Sequence, residues 1–118
     1  MSPIASPALE RLQRTGLAVG GVFLVALAAG FALDREQWAE AESLAREALA
    51  LAEKVGRQEL IASDCSRIAK ALLEQDHNLE EALSLSRRAV EIFTHLKSPN
   101  LPWAQETLAK IEQALSGK

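Results

Sequence analysis

An internal repeat constrains the fold of this chain more than any other feature of its sequence. The segment EQWAEAESLAREALALAEKV at 36–55 aligns without a gap with HNLEEALSLSRRAVEIFTHL at 77–96. Six aligned positions are identical, including Ala41 with Ala82 and Ala48 with Ala89. A repeat of this period predicts that similar supersecondary units are stacked on one another.

Both copies show the apolar periodicity of amphipathic helices. In the second copy, apolar or small residues recur every three or four positions from Leu79 to Leu96, which places them on one face of a helix. The same spacing predicts a helix over 58–75, between the copies, and a last one after Pro102. We therefore expect an all-α fold of antiparallel helix pairs joined by short loops.

Signals for the starts and ends of helices agree with this series of separate helices. Asn78 followed three residues later by Glu81 resembles a capping box at the start of the second copy. Gly56 directly follows the first copy, where glycine readily adopts the left-handed conformation that ends a helix. These signals predict that the two copies are separate helices.

The small residues of the repeat carry a family resemblance. Ala41 and Ala48, and again Ala82 and Ala89, resemble the small positions in the second helix of tetratricopeptide repeats. Ala69 matches the small centre of the family's first helix. The resemblance implies that residues 34–118 form a short solenoid of stacked helix pairs with a C-terminal capping helix, and that these five alanines are helix-packing residues. It extends back to about Val22, with Ala28 matched to Ala69.

The same resemblance implies a binding surface. In this family, the first helix of each pair lines a concave face that accepts a segment of another protein. Carried onto the helix over 58–75, the outward, partner-binding residues are expected to be Asp64, Arg67, Ala71, Glu74 and Gln75. The expected partner is a protein or peptide.

The segment 15–33 contains no charged residue and is apolar on every face of a helix. Its nineteen residues would span about 28 Å as a helix, close to the roughly 30 Å hydrocarbon layer of a bilayer. We expect a membrane contact through this segment, with small-residue helix contacts at Gly16, Gly20, Ala26 and Gly30.

Basic residues in the N-terminal flank, 1–14, set the expected orientation. Arg11 and Arg14 lie just before the apolar segment, which predicts a single-pass protein with a cytoplasmic N-terminus. Two alternatives stay open. The segment is also compatible with a cleaved secretory signal, or with the buried first repeat helix of a soluble cytoplasmic protein.

Composition argues against several chemistries. Thirteen basic and sixteen acidic residues give a net charge of −3 without a basic stripe, so no nucleic-acid partner is expected. Cys65, His77 and His95 are too few and too far apart in the sequence to predict a metal site or a catalytic centre. We expect no cofactor and no enzymatic activity.

Three functional hypotheses follow. The first is a non-enzymatic interaction module or scaffold anchored to a membrane. The second is a small structural subunit of a membrane complex, docked through its apolar helix. The third is a soluble, self-associating repeat protein in which 15–33 is a repeat helix. Since solenoids usually need three or more repeats, homo-oligomerisation is expected.

Overall fold

Five α-helices make up residues 18–117, which are the residues described in the computed structural model of this chain. They are α1 (Ala18–Asp34), α2 (Trp38–Val55), α3 (Gln58–Glu74), α4 (Leu79–Leu96) and α5 (Leu101–Ser116). No strand occurs in this part of the chain, which confirms the all-α prediction. The flank 1–14 and the first residues of the predicted apolar helix, including Gly16, lie outside it.

The helices are arranged in two layers. Each helix packs against the next one along the chain, and in addition α1 contacts α3 and α3 contacts α5. The helices α1, α3 and α5 therefore form one layer, and α2 and α4 form the other. Because the connecting loops are only a few residues long, consecutive helices run antiparallel.

The turn that ends a helix is repeated along the chain. Helices α1 to α4 are each followed by a residue in the left-handed region: Glu36 (φ 59°), Gly56 (φ 69°), Asp76 (φ 49°) and Lys97 (φ 53°). The next residue donates a hydrogen bond to the carbonyl five positions back, as Arg57 does to Ala52 (3.1 Å) and Ser98 to Phe93 (3.0 Å). This is the Schellman motif. Glu36 and Asp76 lie two residues after their helices, whereas Gly56 and Lys97 lie one residue after theirs, which indicates that α1–α2 and α3–α4 are equivalent hairpins.

The two hairpins differ by one loop residue. The α1–α2 loop is 35–37, whereas the α3–α4 loop is 75–78. An alignment that pairs Ala41 with Ala82 in the second helices of the hairpins must therefore be shifted by one residue to align the first helices. Ala29 rather than Ala28 then corresponds to Ala69, and both Ala29 and Ala69 are fully buried. The match predicted for Ala28 is thus off by one.

The capping box predicted at the start of α4 is not formed. Asn78 adopts a left-handed conformation (φ 52°) and makes no capping hydrogen bond to the backbone. Its side-chain amide instead donates to the carboxylate of Glu81 at 2.9 Å. The additional loop residue explains the difference, because it turns the chain away from the extended conformation that a capping residue needs.

Lys97 occupies the left-handed turn position after α4, which favours glycine. Replacing Lys97 with glycine should raise the free energy of unfolding by about 0.5–1 kcal/mol, because a left-handed conformation strains a side-chain-bearing residue. Urea unfolding of the purified protein measures the change. Lys54→Gly, in the last turn of α2, is the matched control and should instead lower stability by about 1 kcal/mol. Equal effects of the two substitutions would contradict this account of the turn.

Small residues line the contacts between the helices. The five alanines singled out in the repeat are each fully buried: Ala41, Ala48, Ala69, Ala82 and Ala89. Between them lie a few large side chains, of which Phe93 is fully buried and packs in one cluster with Leu51 and Ile61. Small side chains let the helix backbones approach closely, so a few large side chains such as Phe93 fill the space between α2, α3 and α4.

Charged side chains bridge α2 and α4 on the outer face. Arg46 of α2 donates two hydrogen bonds to Glu81 of α4, at 3.0 and 2.8 Å, and Arg88 donates one to Glu53 at 2.9 Å. The hydrogen bond from Arg46 lowers the pKa of Glu81. These ion pairs link the two helices of the second layer, whose backbones are not in contact.

Helix α1 uses its alanine side to join the stack. Ala26, Ala29 and Ala32 are buried, whereas the opposite side exposes four large apolar residues. Gly30 lies beside Arg67 of α3, and Gly20 lies in the first turn of α1. Within the described residues, no helix combines the length and the apolar character that crossing a bilayer requires.

Candidate functional site

A groove opens where the three helices of the first layer meet. It has a volume of about 300 Å³ and is lined by Gly30, Leu33 and Asp34 of α1, by Ser63 and Arg67 of α3, and by Asn100 and Trp103 at the start of α5. Apolar side chains, hydrogen-bond donors and one carboxylate share the lining. Such a mixture can hold an apolar side chain of a ligand and also orient its backbone.

Arg67 is held at the groove by a buried partner. Its Nη1 donates to Oδ1 of Asp64 at 2.9 Å, and the Asp64 side chain is fully buried. The second carboxylate oxygen, Oδ2, has no hydrogen-bond partner among the described residues. Burial raises the pKa of Asp64 to about 6, against the opposing charge of Arg67. The aspartate thus fixes the guanidinium of Arg67, which is 22% exposed, in one orientation.

Gly30 lies beside Arg67 in the groove lining. A Cβ atom at Gly30 would lie 3.8 Å from Arg67 Nε, which is an ordinary van der Waals contact. The position therefore tolerates the methyl group of alanine, but any side chain larger than that of alanine would extend into the groove. Substitution at Gly30 offers a way to fill the groove without removing an existing contact.

Hydrogen bonds fix the entry of α5 against α3. Ser98 donates to Glu59 at 2.9 Å, and the backbone N–H of Asn100 donates to Ser98 Oγ at 3.1 Å. The Asn100 amide also reaches Glu59, at 3.4 Å. This network holds Asn100 and Trp103 at the edge of the groove, so the groove wall is built by a loop as well as by helices.

Of the predicted partner-binding residues, only Arg67 lines the groove. Asp64 and Ala71 are fully buried, so the prediction that they face outward is wrong. The physical reason is that α1 packs along this side of α3, and Ala71 lies in one cluster with Ala32 and Ala41.

Glu74 and Gln75 lie at the far end of α3. Glu74 pairs with Lys70 at 2.8 Å, and Gln75 donates to Glu42 of α2 at 3.0 Å. Neither residue is part of the groove lining. The helix therefore contributes to the groove through its middle, at Ser63 and Arg67, rather than along its whole length.

Sequence reasoning missed Ser63 of α3 and several groove residues on α1 and α5. Leu33 ends the apolar segment and Asp34 follows it, whereas Asn100 and Trp103 come from the loop before the last helix and from its first turn. Both segments belong to helices of the first layer, so the equivalent positions of α1, α3 and α5 in that layer are the signal that could have indicated them. The single match placed on Ala28 did not extend to a full alignment of these helices.

No protein-family model matches the chain, and neither does any curated protein or solved structure.

The residues with reactive side chains add no second site. Burial raises the pKa of the Cys65 thiol to about 11, and the thiol lies in the core with Ala62 and Phe93. His77 and His95 are exposed at opposite ends of α4. Within the described residues, no three potential metal-ligating side chains come together.

The buried aspartate gives a pH prediction. Because the folded-state pKa of Asp64 is about 6 and lies above its ordinary value of 3.8, the native state binds this proton more tightly than the unfolded state. The contribution of Asp64 to stability therefore falls as the pH rises from 4 through 6. We expect the protein to gain about 1 kcal/mol from this group at pH 5 relative to pH 7. Urea unfolding at both pH values measures the gain.

Asp64→Asn is the control for this pH dependence. The amide does not titrate, so the difference between pH 5 and pH 7 should shrink by the same amount in this variant. A pH dependence identical to that of the wild type would show that other groups cause it.

Proposed function

We propose that this protein is a non-enzymatic binding module of the tetratricopeptide type, and that the groove between α1, α3 and α5 holds a segment of another protein. The groove supports this proposal because it is formed by the first helix of each successive unit. In the family that the sequence resembles, these helices line the surface that faces the ligand.

The groove lining defines the chemistry of the proposed ligand. Leu33 and Trp103 offer apolar surface, which suits one aliphatic or aromatic side chain of a peptide. Arg67 uses one of its N–H donors for Asp64, and Asn100 presents a side-chain amide. These donors suit peptide carbonyl groups or a carboxylate. We therefore expect a short segment with one apolar anchor next to an acidic or polar residue.

A peptide-library selection tests this function. A phage-displayed library of short random peptides is panned against the immobilised full-length chain. Selected peptides are then titrated against the Trp38→Phe variant, whose one remaining tryptophan, Trp103, lies in the groove. A peptide that binds in the groove should change the fluorescence of Trp103.

Two matched substitutions locate the bound peptide. Gly30→Leu places a side chain in the groove and should weaken binding at least tenfold, since it occupies the space of the ligand's anchor. Ala50→Leu adds the same side chain to the exposed face of α2 and should leave binding unchanged. Selected peptides that bind Gly30→Leu as well as the wild type would refute the groove as the binding site.

A further inference from the structure

One face of α1 exposes large apolar side chains to solvent. Phe23, Leu24, Leu27 and Phe31 are 45%, 62%, 56% and 58% exposed, and we call these four residues the α1 face. They recur at three and four positions, so they form one stripe along the helix. None of them lines the groove. A stripe of this kind is unusual on a protein surface and indicates an interface.

The repeat shows which contact the α1 face lacks. When α1 is aligned on α3 with Ala29 at Ala69, Leu24, Leu27 and Phe31 correspond to Asp64, Arg67 and Ala71. In α3 these positions are covered by the preceding unit, since Ala71 packs with Ala32 and Arg67 lies against Gly30. The α1 face is therefore the surface on which a unit before the first one would stack.

The other end of the stack is different in character. The exposed side of α5 carries polar and charged residues, among them Gln105, Glu106, Lys110 and Glu112. A polar outer face is what a terminal helix of a solenoid requires. Because this end does not complement an apolar stripe, a head-to-tail chain of molecules is disfavoured. Two molecules can cover their apolar ends only by meeting α1 to α1.

Charge also favours a second copy of this chain as the partner that covers the α1 face. In a two-fold interface each surface meets an identical one, so a charged residue near the axis would oppose its own like charge. The α1 face has no such residue, because the chain is uncharged from Thr15 to Leu33. Antiparallel crossing of the two helices also aligns their dipoles favourably. At one end of the stripe Arg57 lies over the Phe23 ring, 5.1 Å from its centroid, and the acidic Asp34 and Glu36 flank the other end.

We propose that two copies of this chain associate head to head through the α1 face, with α1 crossing α1 antiparallel and Leu27 near the two-fold axis. A standard interface buries about 800 Å² per partner, and four half-exposed large side chains supply roughly half of that area. The charged residues at both ends of the stripe would form the rim. The dimer carries two grooves, and it does not depend on the function proposed for them.

Sedimentation equilibrium of the full-length chain tests the dimer. The wild type should approach twice the 12.8 kDa chain mass as its concentration rises. Leu27→Glu should raise the dissociation constant roughly thirtyfold or more, because it places two like charges at the centre of the interface. Leu96→Glu is the matched control on α4, where the leucine is 45% exposed, and should dimerise as the wild type does.

Chemical crosslinking tests the two-fold geometry. In a Cys65→Ala background, which places no polar group in the core, Leu27→Cys should give a covalent dimer with a short bismaleimide, whereas Leu96→Cys should not. Circular dichroism verifies that each variant folds, which is expected because both leucines are about half exposed and no core contact is lost. A wild-type chain that stays monomeric, a dimer that survives Leu27→Glu, or binding to phosphatidylcholine vesicles in place of self-association would each overturn the proposal.

Discussion

Replacing Phe93 with alanine is expected to lower the free energy of unfolding by about 3–5 kcal/mol. The ring is fully buried and packs in one cluster with Leu51, Ile61 and Ala89. Its neighbours are small or held on rigid helices, so they cannot move far enough to close the cavity. Since small domains have total stabilities of about 5–15 kcal/mol, the substitution should remove a large part of the total. Urea unfolding followed by circular dichroism measures the loss.

Phe31→Ala is the matched control for this prediction. Phe31 is 58% exposed on α1, so its removal leaves no cavity in the monomer. Below the concentration at which the chain associates, the loss should be less than about 1 kcal/mol. Comparable losses at Phe93 and Phe31 would show that the centre of α2, α3 and α4 is not packed as described.

Removing Arg67 is expected to cost about 3–5 kcal/mol at pH 7, much more than a surface ion pair is worth. The reason lies in its partner, because Asp64 is fully buried and has no other hydrogen bond among the described residues. Arg67→Ala therefore leaves an uncompensated charge in the interior. The loss should be smaller at pH 5, where a larger fraction of Asp64 is protonated. Urea unfolding at both pH values provides the measurement.

A double substitution separates the contribution of the ion pair from the cost of leaving one buried charge unpaired. Asp64→Leu combined with Arg67→Met replaces both charges by apolar groups of similar size, and its stability should be close to that of the wild type. A double variant as unstable as Arg67→Ala alone would contradict this account, because it contains no unpaired buried charge. The loss on removing Arg67 would then come from the ion pair itself rather than from an uncompensated Asp64.

The helices α2, α3 and α4 could be predicted almost completely from the sequence. The internal repeat located α2 and α4, and α3 was expected over 58–75 and is observed over Gln58–Glu74. These helices are amphipathic, so the periodicity of their residues identifies the buried face. The turn at Gly56 was also readable, because glycine favours the left-handed conformation found there.

The role of α1 could not be predicted in the same way. Because every face of this segment is apolar, periodicity does not distinguish the side that packs from the side that stays exposed. The structure distinguishes them by size: alanines at 26, 29 and 32 lie inward, and Phe23, Leu24, Leu27 and Phe31 lie outward. Small residues let α1 approach α2 and α3 closely, which the larger side chains would prevent.

The groove was harder still to predict, because its residues come from three helices that are distant in sequence. Arg67 was identified, yet its neighbours Leu33, Asn100 and Trp103 were not. Their positions depend on the one-residue difference between the two hairpin loops and on the hydrogen bonds that hold the start of α5 to Glu59. Neither feature has a signature that can be read from single-residue preferences.

Site-specific photo-crosslinking in the cells that make this protein tests the role of the groove most directly. With p-benzoylphenylalanine in place of Asp34, at the groove, irradiation should attach one defined segment of a partner protein. The same photo-reactive residue in place of Ala50, on the exposed face of α2, should not attach that segment. Gly30→Leu should abolish the crosslink from position 34. A partner captured from position 50 but not from position 34 would show that recognition takes place on the other layer.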